Sequence, residues 1–588
     1  VITAQVRPGA YYDSVILLQL QRALAALPGV RNAGVVMGTA ANKDVLAQSD
    51  LLTPEAQTAS AEDLIIVVAA DDADRAAAAL DQVDDLLMRR RGNSDSAVDA
   101  AYRPKSLVSA AQMRPATQWV LVSVPGRYAA DVAHTALRLG KHVFLYSDNV
   151  SVSDEVALKE TAVAQGLLVM GPDCGTAIIN GVGLGFANRV RRGHIGLVGA
   201  SGTGLQQVTA RIHQLGGGIT HALGTGGRDL SDAVKARTTR QALDLLARDP
   251  DTAVVVLIAK PPAPDVAADL LQIAQHLDKP VVIHFLGHQP AASRRSNVVF
   301  TQTLDETAAL AVDLGGTSND QRLTTNDGQP TANSQRPAAN NKASEGISFA
   351  EGQRYLRGLY AGGTLAYEAL LILRGYVPAV YSNTPLEPQF ALAKATESRE
   401  HTIVDLGEDE FTVGRLHPML DNELRIQRLR QEAADPETAV ILLDVVLGDG
   451  AHPDPAGELA PAIAAARAAA TAQDRHLAVV VVVVGTDADP QDMKQQITQL
   501  RNAGAQVEQN HAVAVRRVGA LVRTLDPAAP PVDLVVLHEP LRAINVGLES
   551  FTESLAAQEA DVIHVDWRPP AGGDEKLTGI LARMRGNR

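Results

Sequence analysis

The feature that most constrains this chain is a segment that occurs twice. DPDTAVVVLIAKPPAPDVAADL, from Asp249, is answered by DPETAVILLDVVLGDGAHPDP, from Asp435. A second pair keeps the same order: LVGASGTGLQQVTARI, Leu197 to Ile212, is matched by GLYAGGTLAYEALLIL, Gly358 to Leu373. Two matches in one order imply a duplicated domain. Within each copy apolar runs of strand length alternate with helical segments, which implies a parallel sheet with right-handed crossovers. Such sheets are covered on both faces and are built of continuous Val, Leu, Ile and Ala runs. The composition agrees, with 46% hydrophobic residues but only 3% aromatic ones.

A chain of 588 residues is expected to divide into several domains. Residues 1–104 hold helix-like stretches around Ser14–Leu27 and Ala73–Arg90, with apolar runs at Gly34–Met37 and Leu64–Ala69. That pattern suits a small α/β domain of ferredoxin-like or ACT-like type, with RRRGNSDS (Arg89–Ser96) as an exposed boundary. Residues 105–193 alternate strictly (WVLVSVPG, YAADVAHTALRLG, HVFLYSD, VSDEVALKETAVAQG, LLVMGPD) and read as a Rossmann-like domain. Residues 194–314 carry four strand-like runs and form the first flavodoxin-like copy. Residues 315–348 are polar, rich in Asn, Thr and Gly, and read as a flexible linker. Residues 349–528 form the second copy, with an insertion around Pro378–Arg399. Residues 529–588 add a C-terminal α/β segment: DLVVLHE, a helix around Ser550–Gln558, ADVIHVDW and a basic tail. The fold class is α/β throughout.

Composition also excludes whole classes of function. A formal net charge of −14 and the lack of a Lys/Arg-rich run argue against a nucleic-acid partner. The single cysteine, Cys174, rules out an intramolecular disulfide and fits a reducing compartment. VITAQVRPGAYYD lacks the pattern of a secretory signal. LAVVVVVVG (Leu477–Gly485) is far shorter than the roughly 20 residues of a membrane span and reads as a central strand. The expectation is a cytoplasmic protein with no membrane or nucleic-acid partner.

The glycine loop after the first strand of each copy points to an anion. Gly199-Ala-Ser-Gly202-Thr-Gly204 is GxxGxG rather than GxGxxG, and the next strand, GITHALGTGG, has no acid to bind a ribose. GxxxxGK[ST] occurs nowhere, so the commonest ATP loop is also absent. What remains is a helix start whose free N–H groups and dipole favour a phosphate, with the hydroxyls of Ser201 and Thr203 beside Gly202. The lesser alternative is that Ser or Thr only caps the helix. The twin loop, Gly362-Gly363-Thr364, favours two helix starts facing one phosphate. Strand-end positions add Lys260, Asp444 and His452, and the turn Gly226–Gly227 leads into Arg228 and Asp229. No metal site is expected. Cys174 is read as a packing residue and His538 as structural.

Several of these elements resemble a known superfamily. GPDCGT (Gly171–Thr176) resembles the GPNCPG element of the succinyl-CoA synthetase α-subunit. VGASGTG resembles its helix start that cradles a phosphohistidine, and GTGGRDLSDAV (Gly224–Val234) resembles its GIGGDP turn. Over about residues 115–528 the chain is identified as a member of the FdrA family. The resemblance implies a CoA-binding-type Rossmann-like domain followed by two succinyl-CoA synthetase-like domains. It also implies carbamoyl chemistry, because FdrA proteins resemble the large subunit of oxamate carbamoyltransferase, an enzyme of allantoin breakdown. Oxalurate and phosphate give oxamate and carbamoyl phosphate, in a hetero-oligomer with two other subunit types.

Ile544–Asp574 resembles a segment near the start of such a partner. His288 lacks the GHAGA-type loop of a phosphocarrier, no CoA-gripping glycine motif precedes WVLVSVPG, and no ATP-grasp domain is evident, so coenzyme A is not expected as a cofactor. On this reading Ser201, Gly202, Thr203, Gly226, Gly227, Lys260, Gly362, Gly363 and Thr364 bind phosphate or substrate. Arg228 and Asp444 join the catalytic set, with Arg228 stabilising an oxyanion, and His452 is the general acid. The alternatives are an acyl-CoA synthetase-like enzyme and a non-catalytic scaffold.

Overall fold

The computed structural model describes residues 1–86, 104–316, 349–525 and 541–565, apart from short gaps within them. LIIVVAA has no polar residue, and it forms the middle strand of the N-terminal domain. There β1 (Ile2–Arg7), β2 (Val30–Met37) and β3 (Leu64–Ala70) pair antiparallel in the order β1-β3-β2. Leu64, Ile66 and Val68 pack with Leu17, Leu20 and Leu24 of α1 (Ser14–Ala25) and with Ala76 and Ala79 of α2 (Ala73–Asp81). Ile65 and Val67 face Leu46, Leu51 and Ala56 on the other side. Strand order and connection are those of a ferredoxin-like unit.

A three-stranded parallel sheet follows, β4 (Trp119–Val122), β5 (His142–Leu145) and β6 (Val169–Met170). Its crossovers are α3 (Gly126–Arg138) and α4 (Val152–Gln165), the latter closed by Gly166 at φ 65°.

The first duplicated copy is built on an eight-stranded sheet. Its strands are β7 (Thr176–Ile179), β8 (Val182–Gly185), β9 (Arg192–Ala200), β10 (Ile219–Gly224), β11 (Val254–Ala259), β12 (Val281–Phe285), β13 (Arg294–Arg295) and β14 (Val298–Phe300). The parallel core runs β10-β9-β11-β12-β14, while β7, β8 and β13 add antiparallel at the edges. The intervening helices are α5 (Gly202–Gln214), α6 (Arg237–Arg248) and α7 (Pro264–Gln275), and α8 (Leu304–Gly316) closes the unit. That helix runs two residues past the expected start of the linker; the rest of the linker, RRRGNSDS, DLVVLHE and the basic tail lie outside the described residues.

The second copy is an all-parallel six-stranded sheet in the order β16-β17-β15-β18-β19-β20. Its strands are β15 (Tyr355–Tyr360), β16 (Tyr381–Ser382), β17 (Thr402–Asp405), β18 (Thr438–Val446), β19 (Ala478–Val484) and β20 (Gln506–Glu508). Its helices are α9 (Gly363–Leu373), α10 (Glu423–Ala434), α11 (Pro455–Thr471), α12 (Met493–Asn502) and α13 (His511–Arg523). In this copy β17-β15-β18-β19-β20 repeats the order β10-β9-β11-β12-β14 of the first. Both are the flavodoxin-like order 2-1-3-4-5, as the duplicated segments require. The insertion around Pro378–Arg399 supplies β16 as an extra edge strand. One apolar core joins the two copies, with Leu197, Val208 and Val256 in the same cluster as Leu356, Leu370 and Val440. Cys174 is buried and its thiol is pushed up to about 12, by desolvation first, which makes it a packing residue.

Residues 527–588 form a separate compact unit. In it β21 (Arg542–Val546) and β22 (Asp561–Val565) pair parallel around α14 (Glu549–Ala556). Among the described residues no helix is long and apolar enough to cross a membrane.

Candidate active site at two facing helix starts

In open α/β sheets, ligands bind where the strand order reverses, beyond the carboxyl ends of the strands. Both copies place a helix start at that point. In the first, β9 leads into Ser201, whose extended backbone turns the chain into α5 and whose Oγ accepts the Gly204 N–H at 3.2 Å. In the second, Gly362 holds the cap position of α9 without a side chain to cap it. The two starts meet: Ser201 Oγ and Thr364 Oγ1 lie 2.6 Å apart. A Cβ on Gly362 would collide with the Thr203 side chain, so glycine is what allows this approach. Ser201, Thr203 and Thr364 are all buried.

A small open space remains at the first start. A Cβ placed on Gly202 would lie 3.6 Å from Thr176 Oγ1 and 3.9 Å from the Gly175 Cα, with nothing nearer. Thr176 is 1% exposed, and its hydroxyl has no hydrogen-bond partner among the described residues. Leaving a buried hydroxyl unpaired costs about 1–3 kcal/mol, so this oxygen is suited to a polar ligand held at the start of α5.

At the other start, a Cβ on Gly363 would collide with Asp405 Oδ2 and lie 3.2 Å from Lys260 Nζ. Asp405 ends β17 and Lys260 follows β11, so each stands at the carboxyl edge of its sheet. Burial raises the Asp405 carboxyl to about 7; Glu408 and Asp444 add to the rise, while Lys260 and the Gly407 N–H oppose it. Lys260 also acts on Asp173, an exposed carboxyl raised by crowding of the surrounding protein and by Asp148, Asp409 and Glu408. Water reaching Asp173 tempers that rise.

The remaining residues singled out in the sequence stand around this centre in other roles. Asp444 is fully buried; its Oδ1 accepts the Ala361 N–H at 2.8 Å and an Arg425 N–H at 3.0 Å, so it fixes the turn into α9. Gly226 packs on the Pro172 carbonyl, and a Cβ on Gly227 would sit 3.3 Å from Asp173 Oδ2, so a carboxylate already lies beside that turn. Arg228 donates to Glu155 at 3.1 Å and to the Val150 carbonyl at 2.8 Å. Glu155 also accepts from Lys159, which reaches Asp229 at 2.8 Å, and this buried network ties the turn to α4. His452 is buried with Nδ1 accepting the Asp454 N–H at 3.1 Å and Nε2 3.2 Å from Glu458. It pins the loop after β18.

Asp405, Thr176 and Asp173 were not singled out from the sequence. An acid at the carboxyl end of a parallel strand was a legible signal for Asp405. His417, whose Nε2 would be 3.0 Å from a Cβ on Gly407, is held down to about 4 by burial and by Arg425.

Comparison with known proteins decides the family. The chain is 40% identical over 499 residues to the uncharacterized protein YahF of Escherichia coli K12, covering 85% of this chain and 94% of that one. The chain belongs to the FdrA family. Within this FdrA protein, the CoA-ligase model matches residues 359–521, the CoA-binding domain model residues 190–287, and the AllF heavy metal-associated domain model residues 1–104. The succinate–CoA ligase α-subunit of Aquifex aeolicus is 28% identical over 28% of the chain, and the sulfoacetate–CoA ligase subunit SauD of Bilophila wadsworthia 27% identical over 24%. The chain spans about half the length of those two ligase subunits, 55% and 49%. The FdrA protein is therefore succinyl-CoA synthetase-like, with CoA ligases among its homologues.

Two groups implied by these matches can be tested against the residues. Heavy metals take soft thiolate and imidazole donors, and residues 1–104 contain neither Cys nor His, so the N-terminal domain does not fit such a metal. On the three-stranded sheet, Gly126 at the start of α3 packs against the carbonyls of Asp148 and Asn149. The first turn of α4 carries Asp154 and Glu155. Neither of these two helix starts suits a pyrophosphate, and the CoA-binding match, residues 190–287, covers the first copy rather than this sheet. A separate surface cavity lined by Leu370, Arg374, Val377, Val380 and Phe390 contains none of the residues of the two facing helix starts.

Proposed function

We propose that this chain, working with partner subunits, transfers a carbamoyl group between a ureido acid of the oxalurate type and phosphate, giving oxamate and carbamoyl phosphate. One observation carries the reading: two helix starts joined through Ser201 and Thr364, with the unpaired Thr176 hydroxyl facing Gly202. Free N–H groups and the positive end of α5 suit a phosphate there. Held in that cradle, a phosphate oxygen needs only correct alignment to attack a neighbouring carbonyl carbon. The charge that develops on the carbonyl oxygen is met by the free N–H groups at the start of α9 and by Lys260.

A second reading is acyl-phosphate formation of the kind run by ADP-forming ligases, favoured by the CoA-ligase and CoA-binding matches. It uses the same phosphate cradle and would need coenzyme A to be gripped by a partner. Against it, His288 follows Gly287, which packs on Leu371, about 12 Å along the axis of α9 from Gly363. The deciding experiment supplies oxalurate and labelled phosphate, or ATP, coenzyme A and a carboxylic acid, with and without co-expressed partners. Label in carbamoyl phosphate supports the first reading; acid-labile label on His288 supports the second. Substitution of Thr203 and Thr364 without loss of either activity would point to a scaffold.

A further inference from the structure

We propose that Asp405 is the proton carrier of this reaction, donating from its carboxyl to the nitrogen that leaves the carbonyl carbon. The inference rests on the carbamoyl-transfer reading and deepens it.

Geometry is the first support. Asp405 Oδ1 is held by the Gly407 N–H at 2.9 Å, which fixes the carboxyl plane. Oδ2 lies against the start of α9, in the space a Gly363 Cβ would take, with Lys260 Nζ beside that space. Thr364, the next residue, is bonded to Ser201 at the start of α5, so the two helix starts adjoin. His452 offers no comparable site: Nδ1 is occupied by Asp454 and Nε2 stands against Glu458.

The surroundings of Asp405 are the second support. Lys260 faces it from the end of β11, Glu408 from the loop that follows, and Asp444 from β18. His417 stands behind Gly407, neutral near pH 7. Burial and the two carboxylates outweigh the lysine, so the carboxyl titrates near neutrality, where a proton carrier works best.

The step balances without an outside reagent. A phosphate oxygen bonds to the carbonyl carbon, the bond from that carbon to nitrogen breaks, and its electron pair stays on nitrogen. The Asp405 proton goes to that nitrogen, completing the amide of oxamate. The carboxylate then recovers the proton released as the monohydrogen phosphate becomes carbamoyl phosphate dianion.

The test uses the full chain with its partner subunits, comparing wild type, Asp405→Asn and Asp405→Glu in carbamoyl phosphate formation on both sides of neutrality. Asp405→Asn is expected to lose roughly 100-fold or more in kcat, with Asp405→Glu recovering part of it. The ratio of wild-type to Asp405→Asn rates, in which the ionisation of phosphate itself cancels, should fall as pH rises past about 7. Binding of inorganic phosphate by Asp405→Asn, measured calorimetrically, should match wild type. A ratio independent of pH, near-wild-type kcat in Asp405→Asn, or parallel loss of phosphate binding and rate would each overturn the assignment. A wild-type complex that forms no carbamoyl phosphate overturns the transfer reading itself, and is seen before any substitution is made.

Discussion

Gly202 and Gly363 differ in what a single methyl group would meet, and that difference can be measured. At Gly202 an added Cβ makes only ordinary contacts, 3.6 Å and 3.9 Å, and alanine suits a helix start at least as well as glycine. Gly202→Ala is therefore expected to keep or slightly raise stability, by up to about 1 kcal/mol, while filling the space the Thr176 hydroxyl faces. Phosphate affinity should fall about tenfold or more, since both the N–H approach and the hydroxyl are obstructed. Unchanged phosphate affinity in a folded Gly202→Ala protein would contradict the cradle.

Asp405 gives a second residue-scale prediction. Its folded-state pKa is raised above the unfolded value, so its contribution to stability is fully present below about 4 and is lost as pH rises through about 7. Asparagine does not ionise. Asp405→Asn should thus be more stable than wild type by up to about 4 kcal/mol under mildly alkaline conditions, with the gain vanishing in acid. Urea unfolding midpoints at the two pH values check it, and a gain that persists in acid would show that the carboxylate is not the cause. The strand-end acid was legible in the sequence, but the contacts it makes were not, because no local pattern marks them. Thr176 and Gly202 meet across strands, and Asp405 reaches Gly363 from the neighbouring strand of its sheet.

At the scale of elements the sequence was more informative. Period and punctuation located most strands, and two copies of DPxTAV followed by an apolar run specified the repeated order β10-β9-β11 and β17-β15-β18. Edge strands such as β13, of two residues, and β16, inside the insertion, carry too few residues to show a period. GPDCGT drew attention to Cys174, but Asp173 and Thr176 of the same motif are the residues beside the helix starts. Arg228, expected as an oxyanion stabiliser, and Asp229 are tied to Glu155 and Lys159, which hold the glycine turn they follow. Lys159 is 1% exposed and bridges two buried carboxylates at 2.8 Å each. Removing one member of a buried ion network leaves uncompensated charge, so Lys159→Met is expected to cost about 3–5 kcal/mol. A change in denaturant midpoint of less than about 1 kcal/mol would mean that the turn is held by other contacts.

For the molecule as a whole, duplication explains why two helix starts meet. One flavodoxin-like unit presents one helix start to its switch point; two units sharing a core present two, and glycine at 362 lets them touch. The relatives place the chain in a succinyl-CoA synthetase-like lineage, and its N-terminal domain contains neither Cys nor His. The measurement that tests the central claim most directly is transfer of phosphate into carbamoyl phosphate by the full chain and its partners, with oxalurate as donor and no ATP or coenzyme A present. The expected result is stoichiometric oxamate and carbamoyl phosphate, abolished by Gly363→Ala, whose added methyl would collide with Asp405. Turnover that appears only with ATP and coenzyme A would contradict it.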